Sequence, residues 1–211
     1  MGSLKNRVHL LIAAGAVCLV GAWLGISAYI DRLNCEREYR ASVEAQAAAV
    51  LSFARKAQDE VTGFRSGMDS AIAKVEDHYS SATNEMAILS RGRWANEKIR
   101  QILAETESEL ARDELQIAAA LEVKARVTAA LERIVADLAE IEGMSLTNEA
   151  TLTMAHERER DCLDSFYAIK RSPDIEELVK FKRQFDSTHF ERIVFNARRR
   201  IQIVLNSLPR R

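Results

Sequence analysis

Proline is absent from the first 172 residues of this 211-residue chain, whose two prolines stand at positions 173 and 209. All-β sandwiches and barrels need a turn about every 8–12 residues, and turn residues at that spacing are missing here. The chain is 47% hydrophobic, which is the apolar fraction of a folded protein and argues against intrinsic disorder. Its three cysteines are too few for a disulfide framework. The sequence therefore predicts an all-α fold made of long helices.

An uncharged apolar segment covers residues 8–30 and follows a short polar tail at residues 1–7. Its 23 residues make a helix of about 35 Å, enough to cross a hydrocarbon core of roughly 30 Å. A cleaved secretory signal is the alternative, but the apolar run exceeds the ~7–15 residues usual for such signals. We therefore expect a single transmembrane helix that contacts membrane lipid. Basic residues flank both ends equally, so the positive-inside rule leaves the side of the C-terminal part open.

Gly21 and Gly25 form a GxxxG pair inside this segment. Small residues one turn apart let two membrane helices approach closely, so the pair predicts helix packing in the bilayer. The alternative explanation is that glycine is common in membrane helices.

A heptad pattern dominates residues 31–142. Small or apolar residues recur from Val43 to Ile141 with alternating steps of three and four, as in a helical seam. Its main positions are Val61, Phe64, Met68, Val75, Leu103, Leu110, Ile117, Val127, Leu131, Ile134 and Leu138. Polar residues or glycine weaken the seam at His78, Glu85, Gly92, Asn96, Asp113 and Lys124.

Two architectures fit this arm. The preserved heptad register favours one uninterrupted helix, whereas the polar seam positions around Gly92 favour a hairpin or kink near residues 90–93. Apolar residues beside the seam widen the apolar stripe, and a wide stripe suits a multi-helix bundle better than a two-stranded coil. We therefore favour a helical bundle with a hairpin or kink near residue 92 over a thin coiled coil.

Residues 143–211 read as a set of shorter C-terminal helices. Gly143 is a candidate C-cap, and Ser145 or Thr147 is a candidate cap for the next helix. In Ser172-Pro173-Asp174, serine caps and proline takes the first helical position. A further break near residues 186–188 precedes a helix with one apolar face. That face comprises Phe190, Ile193, Val194, Ala197, Ile201, Val204, Leu205 and Leu208.

Charge is unevenly distributed along the chain. Residues 104–164 hold fifteen acidic and six basic side chains, whereas residues 181–211 hold two acidic and eight basic ones. One interpretation is that the basic end, with Arg198, Arg199 and Arg200, packs against the acidic middle. The other is that it meets acidic lipid or another subunit. Nucleic acid is not expected as a partner, because the total charge is balanced and no aromatic residues interleave with the basic ones.

No catalytic, metal or cofactor motif is recognisable. Asp186 and His189 form a lone DxxH, which a solvated pair at a helix start explains. Cys162 lies among acidic residues, which should raise its thiol pKa and argue against a reactive thiolate. We therefore expect no enzyme activity, no bound metal and no cofactor.

Two short stretches resemble known families. Ser172-Pro173-Asp174-Ile175, Phe181 and Ala197-Arg198-Arg199-Arg200 resemble the end of LemA-type membrane proteins, although the LIPNLV-type signature of that family does not follow residue 30. This resemblance implies one membrane span followed by a helical bundle, without catalytic residues. Residues 117–123, IAAALEV, are similar to a helix of the mitochondrial-type b subunit of ATP synthase, a peripheral stalk.

The sequence thus favours a non-enzymatic, membrane-anchored scaffold or tether that assembles with other protein subunits through its helices. A stalk subunit of a larger membrane machine, such as an ATP synthase, is one alternative. An envelope-spanning or sensor protein with its helical bundle outside the cytoplasm is the other.

Overall fold

Where the structure of the chain is described, all of its regular secondary structure is helical. A computed structural model describes the backbone of residues 2–92 and 94–208, and the side chains of residues 23–92 and 94–208. This part of the chain contains no strand and forms five helices. They are α1 (Gly2–Ser90), α2 (Glu97–Glu142), α3 (Glu149–Lys170), α4 (Pro173–Gln184) and α5 (His189–Asn206). The predicted all-α class is confirmed.

The helices divide between two compact units. The first comprises Met1–Ser52 and Met144–His156, and the second comprises Phe53–Gly143 and Glu157–Arg211. Each unit has buried apolar residues of its own.

In the second unit, α1 and α2 run antiparallel. Arg55 Nε lies 3.2 Å from Glu142 Oε1 near one end of the pair. Arg65 Nη2 lies 2.8 Å from Glu132 Oε1 further along α1. Ser90 Oγ donates to Glu107 Oε1 at 2.6 Å beside the connection between the two helices. The chain therefore reverses between Ser90 and Glu97.

The third layer of this unit consists of α3 from Glu157 onward, α4 and α5. All three run antiparallel to α2, as three polar contacts along α2 show. Arg158 Nη1 lies 2.7 Å from Glu140, Arg126 Nη2 lies 3.1 Å from Asp174, and Arg200 Nη2 lies 2.7 Å from Glu105. Lys170 and Arg198 connect the same layer to Glu60 and Glu85 of α1. The second unit is therefore a three-helix bundle whose third column is interrupted twice.

Local sequence explains where the helices begin. Asn96 Oδ1 accepts from Lys98 N and caps α2, and Ser172 Oγ accepts from Ile175 N and caps α4, with Pro173 next to it. The cap of α3 differs from the prediction. Asn148 Oδ1 accepts from Thr151 N at 2.9 Å, whereas Ser145 and Thr147 precede the helix without capping it.

Gly143 ends α2 without using the special freedom of glycine. Its φ of −82° and ψ of −7° are ordinary right-handed values that any L residue adopts. Its N–H donates to Ala139 O at 3.2 Å and Glu140 O at 3.1 Å. The expected C-cap glycine is therefore present, but not in the left-handed conformation that favours glycine.

Two stretches of the first unit carry its apolar burial. Val43 and Val50 of α1 are buried, as are Leu152 and Ala155 of α3. Between residues 23 and 42 almost every side chain is exposed.

The predicted membrane span at residues 8–30 lies largely outside the described side chains. Among the described residues, no helix has a stretch long and apolar enough to cross a bilayer.

Candidate functional site

The predicted seam supplies much of the interior of the bundle. All the seam positions of α2 are buried, from Leu103 to Leu138, as are Val61 and Val75 of α1. Phe64 and Met68 are only half-buried. These two side chains lie beside an open groove, described below. Gly21 lies outside the described side chains, and Gly25 is exposed with open space around its Cα.

The basic end of the chain packs against acidic side chains of the bundle. Arg198 Nη2 lies 2.9 Å from Glu85 Oε2 of α1, and Arg200 Nη2 lies 2.7 Å from Glu105 Oε2 of α2. The hydrogen bond from Arg200 lowers the pKa of Glu105. Arg199 is exposed and forms no ion pair with any described residue. Two of the three arginines thus pair with carboxylates of the bundle.

The seam interruption at Asp113 has a partner that the sequence does not indicate. Asp113 is buried, and its Oδ2 lies 2.9 Å from Nε2 of His189, the first residue of α5. The imidazole also meets Phe185 and Phe190 edge to face, with ring centroids 4.9 Å apart in both cases. A carboxylate on the apolar seam is stable here because the imidazole satisfies it.

The expected solvated pair of Asp186 and His189 is therefore wrong. Asp186 Oδ1 accepts from the backbone N and the hydroxyl of Thr188, at 3.0 and 2.9 Å. These bonds lower the pKa of Asp186. The side chain of Asp186 is engaged at the helix start, which leaves the imidazole of His189 to pair across the bundle. No local spacing rule identifies that contact, since Asp113 and His189 are 76 residues apart.

The chemistry available at this pair is limited by its neighbours. An Asp–His pair orients an imidazole, but nucleophilic catalysis also needs a hydroxyl or thiol in contact with the ring. Thr106 lines the adjacent cavity with His189, but its hydroxyl donates to Ile102 O at 2.8 Å. Tyr79 lies nearby on α1, where burial and then the Glu114 carboxylate raise its pKa. The geometry supports a polar connection between α2 and α5.

The described residues contain no cluster of three or more metal-ligating side chains. Cys162 is buried, and its burial, then Asp137 and Asp161, raise the pKa of the thiol. The direction agrees with the expectation from its acidic neighbours. Burial raises this pKa more than the acidic neighbours do, and the sequence alone did not indicate that Cys162 is buried. Cys35 is a free, exposed thiol.

An open groove lies between α1 and the α4–α5 layer. Three adjoining cavities of about 320, 320 and 530 Å³ form it, and they share lining residues from one to the next. We call this feature the α1/α4 groove. Gly67, Ala71 and Lys182 line both the first and the second cavity, and His78 lines both the second and the third.

Two glycines on α1 leave open space along one wall of the groove. A Cβ placed on Gly63 or Gly67 meets no atom within 4 Å. Sequence reasoning missed this site, although Gly63 and Gly67 form a second GxxxG pair within the heptad arm. The pair has the same spacing as Gly21 and Gly25 but lies outside the apolar segment, among polar residues that do not mark it as a packing site.

Two lysines that line the groove lack the ion pairs that Lys124 and Lys170 form elsewhere in the bundle. Lys124 Nζ lies 3.1 Å from Asp69, and Lys170 Nζ lies 3.3 Å from Glu60. Lys74 and Lys182 line the groove and form no ion pair with any residue in the described part of the chain. Asp186 also lines the middle cavity, so two lysines and one carboxylate leave the middle of the groove with net positive charge.

Comparison with known protein families, with curated proteins and with solved structures gives no match to this chain. The resemblances to LemA-type proteins and to the ATP synthase stalk subunit therefore stay predictions. Function has to be argued from the chain itself.

Proposed function

We propose that this protein is a non-enzymatic scaffold or tether, anchored in a membrane by residues 8–30 and holding a partner protein through its helical bundle. The observation that carries the proposal is the exposed apolar surface at the C-terminal end of that segment. It consists of Trp23, Leu24, Ile26, Tyr29 and Ile30 on α1.

Such a surface is costly in water. Several large apolar side chains within eight residues expose far more contiguous apolar area than isolated surface residues do, and such patches mark protein or membrane contacts. The patch continues the uncharged run that begins at Val8. Tryptophan and tyrosine are enriched where membrane helices leave the hydrocarbon core, which suits Trp23 and Tyr29. Lipid is the environment that best accounts for this composition.

The bundle supports a binding role rather than a catalytic one. Its interior is filled by seam residues, and the buried Asp113 is paired with His189. The α1/α4 groove is open, whereas the faces of these helices that meet α2 are packed. A filled core with an open groove on its surface is typical of a rigid surface that receives another element.

Membrane fractionation tests the anchor. The full chain, expressed in cells, is expected to stay in the membrane pellet after a carbonate or high-salt wash. Leu19→Arg together with Val20→Arg should move it to the supernatant, because each arginine near the centre of a span costs about 2.5–3.5 kcal/mol. The matched control is Leu115→Arg, which adds arginine at an exposed position of α2.

The control should remain in the pellet. Recovery of the wild-type chain in the supernatant contradicts the proposal, and so does retention of the double-arginine variant. Circular dichroism of each variant checks that the helices remain folded, so that loss of the anchor is distinguished from loss of the bundle.

A further inference from the structure

The α1/α4 groove has the length and shape of a helix-binding site. Its lining residues on α1 extend from Gly63 to Glu85, which corresponds to about 33 Å along a helix axis. An amphipathic helix of roughly 22 residues has the same length. Bundles of three helices accept a fourth in such a groove when its apolar stripe faces inward.

The walls of the groove leave apolar surface for such a helix. Val179 of α4 is 42% exposed and Phe195 of α5 is 63% exposed, and each lines one of the cavities. Ile72 and Leu178 form a buried apolar floor beneath Val179. The missing side chains at Gly63 and Gly67 let another backbone approach closely.

The charges around the groove select the partner. Lys74 and Lys182 stand in its middle without acidic partners among the described residues. Of the acidic side chains nearby, Glu85 pairs with Arg198, and Asp186 accepts hydrogen bonds from Thr188. Asp186 in the second cavity and Glu191 in the third form no ion pair with described residues, so two lysines face one carboxylate in the middle of the groove. Positive charge beside an apolar groove favours carboxylates on the rim of the incoming helix.

A second copy of this chain fits the groove less well. Two copies related by a two-fold axis through the middle of the groove would place Lys74 and Lys182 of one against the same lysines of the other. Like charges brought together at an interface oppose association. The occupant has to supply the opposite charge.

We propose that the α1/α4 groove binds an amphipathic helix from a different protein, with an apolar stripe flanked by Glu or Asp, as the fourth helix of the bundle. This inference rests on the proposed scaffold function and names the chemistry of the partner that the scaffold holds.

Two synthetic peptides of about 22 residues test the charge selection. Both carry leucine and alanine at i, i+3, i+4 and i+7. One is flanked by glutamate and the other by lysine. Binding to the full chain in detergent micelles is measured by fluorescence anisotropy. We expect the acidic peptide to bind roughly tenfold more tightly than the basic one, as attraction and repulsion at two lysines predict.

Matched variants locate the binding. Lys74→Glu with Lys182→Glu should reverse the preference, whereas Lys98→Glu with Lys180→Glu makes the same charge change on exposed residues outside the groove and should preserve it. Gly67→Leu, which fills the groove, should weaken the acidic peptide at least about fivefold. Ala73→Leu, at an exposed α1 position beside the groove, should leave binding unchanged.

Equal affinity for the two peptides overturns the proposal. So does a preference that survives Lys74→Glu with Lys182→Glu. Circular dichroism shows that each variant is folded, and membrane fractionation of the same variants separates the two proposals. If the wild-type chain stays in the membrane pellet but does not select the acidic peptide, only the proposed groove function is rejected. If it selects the acidic peptide but is found in the supernatant, only the proposed membrane anchor is rejected.

Discussion

At the scale of single residues, Asp113 shows how a polar side chain persists on an apolar seam. It is buried, and its carboxylate lies 2.9 Å from the imidazole of His189. A buried polar group costs little when it is paired and much more when its partner is lost. The stability of the bundle should therefore depend on the pair more than on either residue.

We predict that His189→Leu lowers the free energy of unfolding by roughly 1–3 kcal/mol, because it leaves the Asp113 carboxylate buried and unpaired. Urea denaturation followed by circular dichroism measures this. His78→Leu is the control on a half-buried histidine that lines the groove, and it should change stability by less than about 0.5 kcal/mol. Asp113→Leu combined with His189→Leu should recover much of the loss. A double variant less stable than the single one would show that the pair is not the cause.

Two glycines at helix ends differ in what surrounds them. A Cβ at Gly92 would lie 2.5 Å from Nε1 of Trp94, which donates to Leu89 O at 2.8 Å. A Cβ at Gly143 would meet only Glu140 O at 3.5 Å and Ala139 O at 3.9 Å. Of the two positions, therefore, only position 92 has a neighbouring side chain so close that it requires glycine.

Alanine at each position should separate the two cases. Gly143→Ala is expected to stabilise the bundle by about 0.4–1 kcal/mol, because it reduces the entropy of the unfolded chain. Gly92→Ala has the same benefit, but it displaces Trp94 and loses a hydrogen bond worth roughly 0.5–1.5 kcal/mol. We expect Gly92→Ala to be less stable than Gly143→Ala by about that amount in urea denaturation. Equal stability of the two variants would mean that Trp94 moves freely.

At the scale of elements, α2 has one face in the core and another that is exposed. Leu131 is fully buried on the seam, with 0% of its surface exposed, whereas Leu115 on the same helix is 72% exposed. Leucine therefore occupies both a buried and an exposed position on α2. Comparing the two positions measures how much burial on the seam contributes to the free energy of unfolding.

Leu131→Ala should lower the free energy of unfolding by about 2–5 kcal/mol, since it removes buried methyl groups and leaves a cavity. Leu115→Ala changes the same residue type on the same helix and should remain within about 0.5 kcal/mol of wild type. Thermal or urea denaturation gives both values. Similar losses in the two variants would indicate that Leu115 is covered by another chain in solution.

The amphipathic face of α5 is only partly used. Phe190, Ile193, Val194, Ala197 and Ile201 are buried as the periodicity predicts, but Leu205 and Leu208 are exposed. Arg200 already lies opposite Glu105, and α2 begins only eight residues before Glu105, at Glu97. The last turn of α5 thus reaches the end of its packing partner. Helical periodicity describes a face of one helix but carries no information on how far the neighbouring helix extends.

At the scale of the whole molecule, the two described thiols report on cooperative opening. Cys35 is exposed, whereas Cys162 is buried and its thiol pKa is raised. Thiolates are the reactive form, so burial and the raised pKa both slow the reaction of Cys162.

In a Cys18→Ala background at neutral pH, maleimide should label Cys35 rapidly and Cys162 only as fast as the bundle opens. Mass spectrometry of labelled peptides separates the two sites. The pKa of Cys162 is higher in the folded chain than the value of about 8.5 expected in the unfolded chain. The neutral thiol therefore contributes fully to the free energy of unfolding below the unfolded pKa, and this contribution is lost as the pH rises through the folded pKa. Labelling of Cys162 as fast as Cys35 would contradict the burial. Leu131→Ala should accelerate the labelling of Cys162 and leave that of Cys35 unchanged.

Charge asymmetry acts over the same scale. The acidic middle and the basic end of the chain are brought together by the antiparallel course of α2 and α5, as Arg200 and Glu105 illustrate. Both side chains are about half exposed, so each such pair is worth about 0–1 kcal/mol. These pairs align the helices, while the buried seam supplies most of the stability.

The sequence by itself determined the helical class, the seam and the cap of α4, because periodicity and capping are local properties read from residues a few positions apart. It also indicated weak points near Gly92 and near residue 186, and α1 ends at Ser90 and α5 starts at His189. Only the tertiary structure decided that Asp113 meets His189, that Arg198 meets Glu85, and that Gly63 and Gly67 open a groove beside Lys182. These residues are far apart in sequence. What brings them together is the packing of three helical layers, a free-energy minimum of the whole bundle that no local pattern encodes.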